Sequence, residues 1–471
     1  MIRFGTALIA TALTLTLAST ITQGESLHDI YQLALQNDAQ MKAEQAQYLA
    51  GLESENLSLS ALLPQVNANY DYTDTDQDST GESIDSTDGI TAINTLTNTD
   101  VARDGYQISL NQALFNLPAW FNFQSGKELS KQAEATFAAN QQNLIVRVVE
   151  AYLLVLRAQD NLSASQAQER AFERQLEQTQ QRFEVGLIAI TDVYEAQAAR
   201  DLSQVNRIVD ENNVSVALER LSILTGQRHS LINVLQEDFD IKLPEPADRA
   251  AWVDFAIQNN FNLQAARYGE EASRQSAKAS KMGHAPTVSG NYTYSDYSTE
   301  GDLTRKPTTT FDISPNSDNE FNSWQIRVDV PLFSGGAVSS QRRRAAQEFN
   351  ATRENRINLS RNTVTNTRSL HMTVVSDVSR IAARKQSIVS STSSLDATQA
   401  GYEVGTRNVV DVLNAQNTLF SAQRDYANSR YDYILNIMRL KEQAGLLSPD
   451  DINNLDSFME TPPPPSASST P

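Results

Sequence analysis

Few residues of this sequence are arranged for covalent chemistry. The four histidines, His28, His229, His284 and His371, stand singly, without the spacing of a metal site or a catalytic pair. There is no phosphate loop, nucleophile elbow or HExxH motif, and cysteine is absent, which excludes thiolate metal centres and disulfides. No enzyme activity, metal or cofactor is expected. The nearest approach to a cation motif is "DTDQDSTGESID" at 74–85, where Asp74, Asp76 and Asp78 occupy the first, third and fifth positions of an EF-hand loop. Ser79 stands where the turn wants glycine and Asp85 where a bidentate glutamate is usual, so a solvated acidic loop is the better reading.

The charged residues that do fall into a pattern lie in two near-copies. "FEVGLIAITDVYEAQA" at 183–198 matches "YEVGTRNVVDVLNAQN" at 402–417. Each copy places an aspartate, Asp192 or Asp411, at a matching distance beyond a glycine, Gly186 or Gly405, and Asn414 stands opposite Glu195. By themselves Asp192 and Arg407 read as surface charges on long helices.

The elements that carry these residues are also written twice. "NYDY" at 69–72 recurs as "NYTY" at 291–294, and "YQISLNQALF" at 106–115 as "WQIRVDVPLF" at 324–333. With the glycine-flanked pair these give three anchors at an offset of about 220 residues, so the chain is two structural repeats. The expected layout is a signal peptide at 1–24, a first repeat at 25–240, a linker at 241–250 where "IKLPEPADRA" is broken by proline, a second repeat at 251–446, and a C-terminal segment with a low-complexity tail at 447–471. Within each repeat a first helical stretch (27–60 and 251–280) precedes a strand pair (62–116 and 284–333). A long helical hairpin turning at 186 or 405 then follows. Residues 127–185 and 337–400 contain neither glycine nor proline, and Ile145, Val148, Val149, Tyr152 and Leu156 keep the spacing of an amphipathic helix.

The strands alternate with period two. Val66, Ala68, Tyr70 and Tyr72 oppose Gln65, Asn67, Asn69 and Asp71, and Trp324, Ile326, Val328 and Val330 oppose Gln325, Arg327 and Asp329. A soluble sheet would alternate likewise; the aromatic weight of the apolar face, together with export, points to an outer-membrane barrel. Export follows from the N-terminus, "MIRFGTALIATALTLTLASTITQGES", with basic Arg3, an apolar stretch and small residues before Gly24. Beyond it no run is long enough for a spanning helix. The segments 73–104 and 296–320, rich in Ser, Thr, Asp and Gly, read as external loops. Four strands cannot close a barrel, so several copies must contribute: two would give eight strands and a filled interior, three would give twelve and a lumen. The net charge of −19 over 471 residues repels polyphosphate, and short basic runs such as Arg342-Arg343-Arg344 sit in helical context, so nucleic acid is not an expected partner.

"LLPQVNANYDYT", "QRFEVGLIAITDV", "SSLDATQAGYEVGTRNVVDVL", the duplicated plan and the tail together resemble the outer-membrane efflux protein family, the exit ducts of multidrug efflux and type I secretion. The resemblance implies a mainly α protein with membrane β. Four strands per chain would complete a 12-stranded barrel in a homotrimer in the outer membrane of a Gram-negative bacterium. A periplasmic barrel of helices with an equatorial band would continue it. It implies an adaptor-binding tip at Val185, Gly186, Leu187, Val404, Gly405 and Thr406, and partners in a periplasmic adaptor, an inner-membrane pump or ABC transporter, and outer-membrane lipid. It also implies a gate latch of Thr191 and Asp192 against Tyr402 and Arg407, and a pore constriction at Asp411. The family has a second aspartate where this chain has Asn414, and Glu195 is a candidate substitute. A dedicated type I secretion or metal-efflux duct of the same fold, and an exported fibrous scaffold with a soluble sheet, are the alternatives.

Overall fold

The computed structural model describes residues 24–84, 89–307 and 315–462. The expected signal peptide up to residue 23, Asp85 and the tail from residue 463 lie outside the described residues.

Each repeat opens with a short helix that stops and restarts. Helix α1 (Leu27–Asn37) begins at a capping box between Ser26 and Asp29 and ends at Asp38, after which α2 (Ala39–Ser60) resumes. In the second repeat α5 (Arg249–Asn259) is capped by Asp248 and ends at Asn260, followed by α6 (Phe261–Lys281). The two break residues share one backbone conformation, φ −60° and ψ 116° at Asp38 and φ −61° and ψ 117° at Asn260. The 27–60 and 251–280 stretches are thus two helices each, broken at an extended residue whose side chain makes other bonds.

The long elements follow: strands β1 (Gln65–Ile84) and β2 (Ala92–Phe115), then α3 (Leu117–Glu184) and α4 (Ile190–Thr225). Beyond them the chain forms the short β3 (Val234–Leu235). The second repeat supplies β4 (Thr287–Lys306), β5 (Ser317–Asp329), α7 (Ala337–Glu403) and α8 (Val409–Gln443). The short α9 (Pro449–Asp456) and β6 (Met459–Glu460) close the described chain. At 68 and 67 residues, α3 and α7 are each about 100 Å long at 1.5 Å per residue. Among the described residues no helix is long and apolar enough to cross a membrane.

The compact units are not the two sequence repeats. One unit gathers residues 1–44, 139–260 and 363–471, the other 45–138 and 261–362, so both repeats contribute to each.

The second unit holds a four-stranded antiparallel sheet in the order β1-β2-β4-β5, in which β2 and β4 join the two repeats. One register row runs Tyr70, Tyr106, Asp296, Glu320, and the row two residues nearer the strand bases runs Ala68, Ile108, Tyr294, Asn322. The same face carries Val66, Tyr72, Leu110, Tyr292, Trp324, Ile326 and Val328 in neighbouring rows. Its apolar side chains are exposed to a large extent: Trp324 is 76% and Tyr70 66% exposed. Strands β1 and β5 each have one neighbour, so the sheet carries two open edges.

The expected loops at 73–104 and 296–320 are corrected here. Strand pairing continues through Thr73–Ile84 against Ala92–Arg103, and β4 runs on to Lys306. Ladder hydrogen bonds belong to the backbone, so the Thr- and Asp-rich stretch pairs as readily as the apolar one. Asp74, Asp76 and Asp78 therefore lie along an extended strand, where they cannot wrap around one ion, and the Asn98 amide donates to Asp76 at 3.3 Å and Asp78 at 2.9 Å. Among the described residues no group of acidic or histidine side chains could hold a metal.

In the first unit, Leu144, Ile145, Val148, Val149, Tyr152 and Leu156 of α3 are buried, as the periodicity predicts, with Leu27 and Ile30 of α1, Leu221 of α4, Trp252 of α5 and Ile434 and Leu440 of α8. The end of the first repeat and the C-terminal segment meet where β3 pairs with β6. A charged belt ties three helices nearby. Asp377 of α7, with a fully buried side chain, lies 2.7 Å from the Arg380 guanidinium and accepts from Asn436 of α8 at 2.8 Å. Asp432 of α8 pairs with Arg157 of α3 at 2.5 Å and stands 3.7 Å from Arg380. One turn away Tyr431 donates to Asp160 at 2.6 Å, and burial holds the Asp160 carboxyl above its ordinary range against the opposing effect of that bond.

Candidate functional site: the paired hairpin tips

The two long hairpins turn by the same device. At the end of α3 the Gly186 amide donates to the Phe183 carbonyl at 2.8 Å and the Leu187 amide to Arg182 at 2.9 Å. At the end of α7 the Gly405 amide donates to Tyr402 at 3.1 Å and the Thr406 amide to Gly401 at 2.8 Å. These paired bonds satisfy carbonyls that a helix end leaves open, and they require a left-handed residue, supplied by Gly186 at φ +76° and Gly405 at φ +80°. Val185, Leu187 and Val404 beside the glycines are 70%, 68% and 75% exposed, apolar side chains presented at the extremity of each hairpin. Thr406 is also exposed, with its hydroxyl on the Gly401 carbonyl.

The two returning helices start differently. Asn408 caps α8, accepting from the Asp411 amide at 2.8 Å, and the Asp411 carboxylate reaches back to the Asn408 amide at 3.4 Å and to Arg407 at 3.8 Å. At the matching place in the first hairpin Ala189 has only a methyl group, and α4 starts without a side-chain cap bond. Among the described residues Asp192 and Thr191 in the first turn of α4 therefore engage no side-chain partner. Of the expected latch, Arg407 pairs within its own hairpin with Asp411, and the chain does not bring Asp192 and Tyr402 into hydrogen-bond contact. Glu195 and Asn414 are both exposed, and Asn414 uses its carbonyl to accept from Thr418 at 2.8 Å.

Tyr402 lies elsewhere than its exposed neighbours would suggest. It is 6% exposed, packed with Phe172 of α3, Ala196 of α4 and Val409, Val412 and Leu413 of α8, a cluster that holds the two hairpins of one chain together. The Arg182 guanidinium lies over its ring, 4.5 Å from the centroid, and donates to the Tyr402 carbonyl at 3.4 Å. The phenol oxygen is buried and makes no hydrogen bond. A cleft of about 450 Å³ opens beside this pair, lined by Gln175, Gln178, Gln181, Arg182, Gln399 and Tyr402 among others.

Sequence reasoning missed Arg182, although a signal was present. Aligning the glycines puts Phe183 opposite Tyr402 and Arg182 opposite Gly401. A Cβ on Gly401 would meet Arg407 Cγ at 2.8 Å. Where one repeat needs room for an arginine folding back, the other supplies an arginine.

The family model for outer membrane efflux proteins matches residues 30–227 and 252–446. The outer membrane protein TolC of Vibrio cholerae is 34% identical, over 94% of this chain and 95% of that protein, and TolC of Escherichia coli 33%, over 94% and 87%. The alkaline protease secretion protein AprF of Pseudomonas aeruginosa is 29% identical over 90% of this chain and 85% of its own. In fold, the chain is similar to the CmeC outer membrane channel of Campylobacter jejuni, with a TM-score of 0.72 at 14% identity over 98% of each chain.

Proposed function

The chain belongs to the outer membrane efflux protein family, and from that premise we propose how its parts make a gated exit duct. It is an outer-membrane protein of the efflux and type I secretion class that extends into the periplasm. The observation that carries the reading is the sheet: four strands with an exposed apolar, aromatic face and two open edges. Unpaired edges are not tolerated in lipid. Three copies closing β5 of one chain on β1 of the next remove all edges and give twelve strands, enough for a lumen. The exposed face then meets outer-membrane lipid, and the helical hairpins run into the periplasm to the tips.

At those tips the exposed Val185, Leu187, Val404 and Thr406 around Gly186 and Gly405 form the surface for a periplasmic adaptor, which couples the duct to an inner-membrane pump or ABC transporter. The duct itself catalyses nothing, and the energy comes from the pump. Asp192, left free because α4 has no cap, is available to a neighbouring chain, as is the Arg407 guanidinium, held only at 3.8 Å by Asp411. Three copies of Asp411 form the acidic ring of the constriction, with Asn414 neutral beside it and Glu195 a further carboxylate.

Two experiments test this. Purified protein in planar bilayers should conduct, and Asp411→Asn should lower cation selectivity and weaken block by multivalent cations. Asparagine retains the acceptor that closes the cap, so the fold is kept while three charges are lost; unchanged selectivity and block would remove Asp411 from the pore. Photocrosslinkers placed at Val185 and Val404 should capture a periplasmic adaptor, and an intact trimer that captures none would refute the tip assignment. The kinship to AprF supports a second reading, a duct dedicated to a secreted protein. Unchanged drug and bile-salt sensitivity in a deletion strain would favour it.

A further inference from the structure

Between the two hairpins of one chain, the contact at Arg182 and Tyr402 is the most specific polar feature of the tip. Tyr402 is the only residue in the last turn of α7 that is buried; Glu403, Val404 and Gly405 after it are exposed. Its ring belongs to the apolar cluster formed by α3, α4 and α8, so its position fixes the end of α7 against all three. What meets the ring is a cation from α3, with the guanidinium 4.5 Å from the centroid and a second contact to the Tyr402 carbonyl. Both contacts use the ring face and the main chain, and neither uses the hydroxyl, which is left without a partner. The clamp is thus independent of any bond the phenol makes to an acceptor. It is also absent from the other repeat, where Gly401 occupies the arginine's place.

We propose that Arg182 is a positioning residue of the tip gate: stacked on Tyr402, it binds the end of α7 to the end of α3 and sets the resistance of each chain's two hairpins to separating. The proposal rests on reading these tips as the gate. A cation over an aromatic ring in a half-buried site contributes on the order of 1 kcal/mol, a factor of about five in an equilibrium at 1.4 kcal/mol per decade. That is strong enough to favour contact and weak enough to be released by a partner that binds the tips.

The test uses full-length trimers in planar bilayers, each variant first checked for SDS-resistant trimer and helix content. Arg182→Ala should raise the occupancy of open conductance levels about fivefold. Arg182→Lys, which keeps a cation, should fall between it and the parent. Tyr402→Leu keeps apolar bulk but removes the ring, so Arg182→Ala added to it should have a much smaller effect than on its own, through the long main-chain contact alone. Added to Arg407→Ala, an arm outside this contact, it should multiply the effect. If Arg407→Ala opens the channel while Arg182→Ala does not, the gate stands and the role of Arg182 falls. Independent, additive effects of Arg182→Ala and Tyr402→Leu would also overturn it, because the arginine would then act elsewhere. If Arg182→Ala, Tyr402→Leu and Arg407→Ala are all silent, the tips are not the gate and both readings fail together.

Discussion

Replacing Arg380 by methionine isolates the cost of a buried charge in the helical region. The Asp377 side chain is 0% exposed and, among the described residues, Arg380 is its one cationic contact, at 2.7 Å, while Asn436 supplies a hydrogen bond to the other oxygen. Removing one partner of a buried pair leaves the other uncompensated, at a cost of about 3–5 kcal/mol. Two features place this site at the low end. The Arg380 side chain is 40% exposed, and the pair is in contact without hydrogen-bond geometry at Asp377 Oδ1. The expected loss is therefore about 3 kcal/mol, or about a hundredfold in the folding equilibrium. Asp432 is little affected, since its stronger partner Arg157 at 2.5 Å remains. The assay is guanidinium-induced loss of helical circular dichroism in detergent, for Arg380→Met, Asp377→Asn and the double variant. The double variant should recover most of the loss, because asparagine can still accept from Asn436 and no charge is left buried. An Arg380→Met variant within about 1 kcal/mol of the parent, or a double variant no more stable than Arg380→Met, would refute the view that this arginine compensates the buried Asp377 side chain.

The other expectations are shorter. Burial raises the Asp160 carboxyl, so the folded state binds more protons there than the unfolded chain; that contribution is present below the ordinary carboxylate range and lost as pH rises through the raised value. Asp160→Asn should flatten this part of a stability profile measured between pH 4 and about 7, and an unchanged profile would exclude the group. A Cβ on Gly105 in β2 would meet the Asp296 carbonyl at 2.2 Å and the Tyr297 ring at 2.5 Å, so Gly105→Val should abolish heat-modifiable trimer on gels; normal trimer would show that β2 and β4 tolerate separation there. Gly186→Ala and Gly405→Ala meet no neighbour and are opposed only by positive φ, which costs about 1–2 kcal/mol each. Each should leave trimer yield intact while weakening adaptor capture, and full capture would separate the turn conformation from docking.

Much of the helical plan could be read because its signals are local. The absence of glycine and proline marked the long helices, and a glycine with apolar flanks marked each tip. The strands were legible only as far as their apolar faces extended. Beyond Tyr72 nothing in side-chain alternation announces pairing, because the ladder there is held by backbone bonds between Thr- and Asp-rich segments. The breaks at Asp38 and Asn260 escaped notice for a similar reason: neither is a glycine or proline. Asp38 is held by Arg147 at 2.7 Å and Asn260 by the Gln443 carbonyl at 2.9 Å, partners more than a hundred residues away. The gate residues were placed by resemblance, and Arg182 was not, since its partner lies in the other repeat and only their unequal positions in the duplicated turn connect them.

The overlong strands have a consequence for where export ends. The run of alternating apolar side chains on β1 breaks off at Tyr72, yet pairing with β2 continues to Ile84. Twelve further residues at about 3.3 Å each, tilted by about 40° in a closed barrel, carry the strands roughly 30 Å beyond Tyr72. If three copies close the proposed barrel, a molecule leaving such a mouth would be released above the hydrocarbon rather than at its surface. An amphiphile released there would have a longer way back to the lipid, so in the proposed duct the height of the rim would bear on net export as well as the opening of the tips.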